Sequence, residues 1–177
     1  MAKLEIGVIV GLKPEPEGEI RKAAGMGLTS CQVVTWDPDL YVRPVGEALL
    51  AAAEKHGVTI TTLWAGYPGP RVWNFTEGPA TIGLVPAEYR AMRVQALCKA
   101  ASFAGEIALP SITTHVGFIP EDPNHPDFAG TVEALKQVAG EIGLSHEALY
   151  RTLAALERDG LVARDGGKIA LHGRDTV

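Results

Sequence analysis

VGEALLAAAEKHGVTITTLW, residues 45–64, changes its hydrophobic period once, at Gly57. Before that glycine, Val45, Leu49, Ala52 and Ala53 recur at helical spacing, and Gly57 is a natural helix end. After it, Val58–Trp64 is almost continuously β-branched, apolar or Thr. A strand of that composition is buried on both faces, as in parallel sheets. A helix running straight into such a strand is part of a βαβ unit with a right-handed crossover. The same alternation continues on both sides. Leu4–Val10, Cys31–Trp36 and Ser111–Val116 read as further strands, and Glu17–Met26 and Ala87–Ala104 as further helices. The last of these opens at Pro86 and carries Tyr89, Met92, Leu97 and Ala101 along one side. The predicted fold class is therefore α/β, with four parallel strands and their helices.

Tyr67–Val85 interrupts the rhythm. It holds Pro68, Pro70 and Pro79 with the aromatics Trp73 and Phe75, and has no apolar period. Its place between the third strand and the third helix makes it a βα-loop, which in barrels lies at the strand ends where sites are built. Long loops inside compact domains are commonly functional. The alternative is a lid packing Trp73 and Phe75 onto the mouth with no ligand involved.

Beyond Gly117 the texture changes. Phe118–Phe128 is rich in turn residues, and Thr131–Ile142 then reads as a helix with Val132, Leu135, Val138, Ala139 and Ile142 on one face. Gly143-Leu144-Ser145 is a tight break whose serine can cap the following helix, His146–Arg158. Gly160 ends that helix. Leu161–Arg164 and Lys168–Leu171 flank Asp165-Gly166-Gly167 as a hairpin. Helix, short turn, helix and hairpin is the plan of a winged helix-turn-helix. The domain boundary falls between residues 130 and 131, giving modules 1–130 and 131–177 with no linker between them.

Bulk properties narrow the function. A complete (β/α)8 barrel needs ~250 residues, and the chain has 177. With 46% apolar and 21% charged residues it is ordinary globular protein. A net charge of −5 argues against non-specific attraction to nucleic acid or to membranes. Cys31 and Cys98 lie far apart with no metal-ligand spacing, so both read as apolar thiols. No signal-peptide pattern and no long apolar run is present, so a cytoplasmic location with no membrane partner is expected.

Several N-terminal features resemble the xylose-isomerase-like barrels of sugar (phosphate) isomerases and epimerases. They are Ile6-Gly7-Val8-Ile9-Val10, Gly27-Leu28-Thr29, Trp64-Ala65-Gly66 and Thr113-Thr114-His115-Val116-Gly117-Phe118-Ile119-Pro120. The resemblance covers about residues 3–130 and implies a half barrel. Trp36, Trp64, Trp73 and His115 then fall at its mouth as candidate contacts for a sugar-like ligand. In that family a divalent metal is held by Glu, Asp and His supplied mainly by strands five to eight. Here the chain diverges after strand four. Asp37, Glu121 and Asp122 lie near strand ends without metal-ligand spacing, so no cofactor is expected, Mn or Mg being the alternative.

At the other end, Leu135, Ala139, Gly143, Leu144, Ser145, Leu149, Leu153, Leu156, Gly160, Leu161 and Val162 resemble the winged helix-turn-helix of the cyclic-AMP receptor protein family. The resemblance implies that His146, Glu147, Tyr150 and Arg151 face base edges in double-stranded DNA. Ser145 and Lys168 are then candidate phosphate contacts. Against this, residues 131–177 carry 6 Lys and Arg against 7 Asp and Glu, a poor balance for neutralising phosphate. The combined expectation is a chimeric, recombined protein in which catalysis has no complete site. The alternative is a metal-dependent sugar isomerase or epimerase with a remodelled or dimer-assembled site. Four strands alone leave two sheet edges and an apolar face open, so either the hairpin and its helices fold over the sheet or two chains associate. A homodimer in which the exposed sheet surfaces meet is expected.

Overall fold

The computed structural model describes residues 6–141, 158, 162–165 and 168–171. The chain divides into two compact units, residues 1–142 and 143–177. In the first unit β1 (Val8–Gly11), β2 (Ser30–Thr35), β3 (Thr59–Ala65) and β4 (Ile112–Thr113) form one sheet in the order β1-β2-β3-β4. Every pairing in it is parallel. The connections run through α1 (Glu17–Gly25), α2 (Arg43–His56) and, after β3, the single turn α3 (Gly78–Thr81) and α4 (Ala87–Glu106). The helix α5 (Pro126–Glu141) follows β4.

Local chemistry explains most of these boundaries. Helix α1 carries Glu17 and Glu19 in its first turn and Lys22 in its last, the arrangement that suits the helix dipole. Helix α2 has Pro44 in its first turn and stops where Gly57 takes φ 63°. The Val58 amide then donates to Ala53 O at 3.0 Å and the strand begins at once. Val10, Cys31, Val33, Ile60 and Leu63 point from the sheet into a core shared with Ile20, Leu49, Leu97 and Phe103 of the helices.

Three expectations change on contact with tertiary structure. The fourth strand pairs over Ile112–Thr113 only, not over 111–116. Its partner β3 ends at Ala65, one step past the Trp64–Thr113 pair, so residues 115 and 116 have no ladder to join, and Val116 O accepts from the Leu84 amide instead. Helix α4 buries Arg93, Val94, Leu97, Ala100, Ala101 and Phe103, while Met92 is exposed, so its buried face is not the stripe that includes Met92. Helix α5 begins at Pro126, and its buried residues are Thr131, Ala134 and Val138 rather than Val132 and Leu135. The cause lies next door on α4, where Arg90 Nη2 donates to Asp127 Oδ1 at 2.8 Å. Gly130 faces that guanidinium with no side chain to obstruct it.

In the second unit β5 (Val162–Asp165) and β6 (Lys168–Leu171) pair antiparallel, Val162 opposite Leu171 and Asp165 opposite Lys168. The hairpin expected from the sequence is thus present. The second helix of the winged helix-turn-helix, with Ser145, His146, Glu147, Tyr150 and Arg151, lies outside the described residues. Among the described residues no helix is long and apolar enough to cross a membrane.

Candidate functional site

The C-terminal ends of β2, β3 and β4 converge on an aromatic cluster. Trp36 follows β2 directly, Trp64 is the penultimate residue of β3, and His115 lies two residues past β4. Gly66 makes the approach possible: a Cβ there would stand 2.5 Å from the Trp36 ring. The Trp36 and Trp64 rings are 6.5 Å apart, and Trp36 meets Tyr67 edge-on at 5.3 Å. Trp73, from the loop, completes the group at 6.1 Å from Trp36. His115 sits between two indoles, 5.2 Å from Trp64 and 4.7 Å from Trp73. The Arg71 guanidinium lies over Trp36 at 4.5 Å, a cation–π contact.

A cavity of about 430 Å³ opens beside this cluster, within the usual range for small-molecule sites. Trp73, Phe75, Ile82 and Phe118 form its apolar wall, and Thr114, His115 and Gly117 its floor. Trp73 is 55% exposed and Phe75 91%, so the wall is wet on one side. Most polar side chains around the cavity are already engaged. Asn74 donates to Glu77 Oε2 and accepts from the amides of Thr76 and Glu77, which fixes the start of α3. Thr114 Oγ1 donates to Ala65 O at 2.8 Å. His115 is the polar side chain left to address a ligand.

The loop carrying Trp73 is held from below by Arg93 and Tyr67. Arg93 of α4 is fully buried and, among the described residues, has no carboxylate partner. Its Nη1 donates to Gly83 O at 2.6 Å, its Nη2 to Pro70 O at 2.7 Å and Thr81 O at 2.9 Å, and its Nε to Pro68 O at 3.3 Å. The rings of Tyr67 and Tyr89 flank the guanidinium at 4.6 and 4.7 Å. Charge buried in this way is tolerable because every direction it faces is an acceptor or a π-face. Tyr67 adds a second tie, its hydroxyl accepting from the Gly83 amide at 2.7 Å. Burial pushes that phenol above its ordinary range, against the pull of the Gly83 amide and of Arg93. The Leu84 amide then donates to Val116 O at 2.7 Å, joining the loop after β3 to the segment after β4.

Of the residues named from sequence, Trp36, Trp64, Trp73 and His115 come together. Only Trp73 and His115 line the cavity, while Trp36 and Trp64 brace them from behind. Lys168 opens β6 in the second unit. Arg71, Tyr67 and Arg93 join this cluster although no sequence motif contains them. An arginine interrupting the apolar face of α4 was the available signal for Arg93.

Four βα units with a mouth built from strand-end residues define the class. The first unit has the fold of xylose-isomerase-like TIM barrels, in the form of four of their strands and helices. In particular, the chain is similar to a xylose isomerase domain protein from Planctomyces limnophilus, at 25% identity and TM-score 0.69 over 78% of this chain and 50% of that one. It also shares its fold with a D-psicose 3-epimerase solved in the presence of D-fructose, at 17% identity and TM-score 0.51 over 79% and 49% of the two chains. The chain thus spans about half the length of the solved structures it matches. No protein-family model and no curated protein matches it.

Among the described residues no set of donors fits a divalent cation: no group of three His, Cys, Asp or Glu side chains there could hold a metal ion. His115, the histidine at the mouth, has indole neighbours on both sides where a metal site would have carboxylates.

Proposed function

We propose that the cavity beside His115 binds a small, neutral, sugar-like molecule through stacking and one histidine hydrogen bond. The observation that carries this is His115 packed against Trp64 and Trp73 at a largely apolar cavity that Trp73, Phe75 and Phe118 also line. Aromatic faces suit the apolar C–H side of a sugar ring, and a fixed imidazole can both donate to and accept from a hydroxyl. The likeness to the xylose isomerase domain protein supports the same ligand class. The donor set gives no support to Mn- or Mg-dependent isomerisation by these residues, so the proposed activity is binding. Titration with D-fructose and D-psicose, read by tryptophan fluorescence, tests it. A saturable change is expected, and His115→Ala should weaken it about tenfold, the equivalent of roughly 1.4 kcal/mol. An unsaturable signal, or one that His115→Ala leaves intact, removes the proposal.

A second reading, docking of residues 131–177 on duplex DNA, draws support from the β5–β6 hairpin at the position of a wing. It is checked by a gel shift across a salt series. Arg151→Glu should abolish the shifted band if that face reads DNA, and no shift at low salt dismisses the reading.

A further inference from the structure

Among the described residues of the first unit, the sheet is covered on one side and uncovered on the other. Its helix side is closed by the shared core. The opposite side carries Ile9, Gln32, Val34, Thr62, Trp64 and Thr113, set in adjacent rows by the strand register. None of these is buried, and Ile9 is 49% exposed. Gln32 Nε2 donates to Thr113 Oγ1 at 3.1 Å across the intervening strand, so two of the polar groups satisfy each other. Among the described residues β1 and β4 are each paired along one edge only.

We infer that a second copy of the chain takes this face and both edges, related by a twofold axis running along the strands. Direction decides the geometry. An axis parallel to the strands keeps all of them parallel, so β4 of each copy meets β1 of the other, and the same contact is made twice. A twofold axis across the strands would reverse one set and give antiparallel pairing. Four strands from each copy make the eight at which a parallel sheet closes with side chains filling its interior. The barrel interior is packed in layers of four side chains drawn from alternate strands, and each copy supplies half of every layer. The mixed Ile, Val, Thr, Gln and Trp rows suit such an interior better than they suit water. The flank of α5 agrees: Val132 and Leu135, one turn apart, are each 36% exposed on the last helix of the unit. That flank is where α1 of the second copy would lie.

The consequence for the site is that both copies present strand C-termini to the same mouth. The Trp73–His115 cavity is then walled on its far side by the same residues of the other copy, and a ligand is enclosed only in the dimer. This inference holds whether or not the mouth takes a sugar.

Light scattering on the full chain at micromolar concentration tests it directly. The expected mass is twice 18.7 kDa, and a monomer overturns the inference. Ile9→Glu and Val34→Glu should yield monomers with unchanged far-ultraviolet circular dichroism, whereas Leu50→Glu, on an exposed position of α2, should remain dimeric. A dimer that survives Ile9→Glu uses another face, and that too overturns the inference. Should the glutamate variants unfold, cross-linking replaces them. Ile9→Cys and Thr113→Cys are combined with Cys98→Ser and treated with a short bis-maleimide. Positions 9 and 113 of one chain lie three strand spacings and two residues of rise apart, ~16 Å, too far for a linker of ~8 Å. Covalent dimer is expected only when both new thiols are present, and equal cross-linking through either alone contradicts the arrangement.

Discussion

Arg93→Met should cost about 3–4 kcal/mol of unfolding free energy, the largest loss expected from any single side chain in the first unit. Methionine keeps the unbranched stem and most of its packing volume, so the loss isolates the hydrogen bonds. Four carbonyls, those of Pro68, Pro70, Thr81 and Gly83, lose their donor together. Hydrogen bonds to a charged donor are worth roughly 1.5–3 kcal/mol each, and water entering the emptied space recovers part of the sum. Arg93→Lys should fall between, because an ammonium reaches fewer of these acceptors and cannot lie flat between two rings as guanidinium does. Urea unfolding followed by circular dichroism measures this. A shift in midpoint worth less than about 1 kcal/mol would mean that solvent already shares these carbonyls. The same variant should open the Trp73 loop to proteases at Arg71, since the loop loses its tie to α4.

The second large effect is at a backbone crossing. Gly83→Ala should destabilise by about 3 kcal/mol or more, whereas Gly27→Ala should cost only about 1–2 kcal/mol. Both glycines have positive φ, 82° and 74°. They differ in what surrounds them. A Cβ at Gly27 meets nothing within 4 Å, so only the left-handed conformation is penalised. At Gly83 the same atom would stand 2.0 Å from Val116 O and 2.3 Å from the Gly117 amide nitrogen. Those are backbone atoms that cannot rotate away, and the Leu84–Val116 hydrogen bond at 2.7 Å would break as the segments part. Comparing the two variants in one denaturation series separates the steric term from the conformational one. Equal losses would show that the crossing is looser than its geometry.

The sheet side of this protein was readable because its signals are local. Val45, Leu49, Ala52 and Ala53 show a helical period within one helix. Gly57 is placed to end it, and Val58–Trp64 is too β-branched to continue it. The placing of Trp36, Trp64 and His115 at one mouth followed from a rule of parallel barrels, that every strand points the same way. The limits of β4 were not readable in the same way. Residues 115 and 116 look like strand, yet strand pairing needs a partner, and β3 ends at Ala65, one step past the Trp64–Thr113 pair.

Sequence periodicity alone settled the α/β class, the alternation of four strands with helices, the loop between β3 and α4 and the hairpin after residue 160, since each depends on neighbours a few positions apart. Folding in three dimensions decided that Arg93 is the pin of the cavity loop, that Trp36 and Trp64 stand behind His115 rather than in the cavity, and that α5 turns Ala134 inward instead of Leu135. These outcomes join residues 10 to 80 positions apart, and their energies come from which carbonyl, ring or guanidinium arrives at the other end, a quantity that no local pattern of hydrophobicity contains.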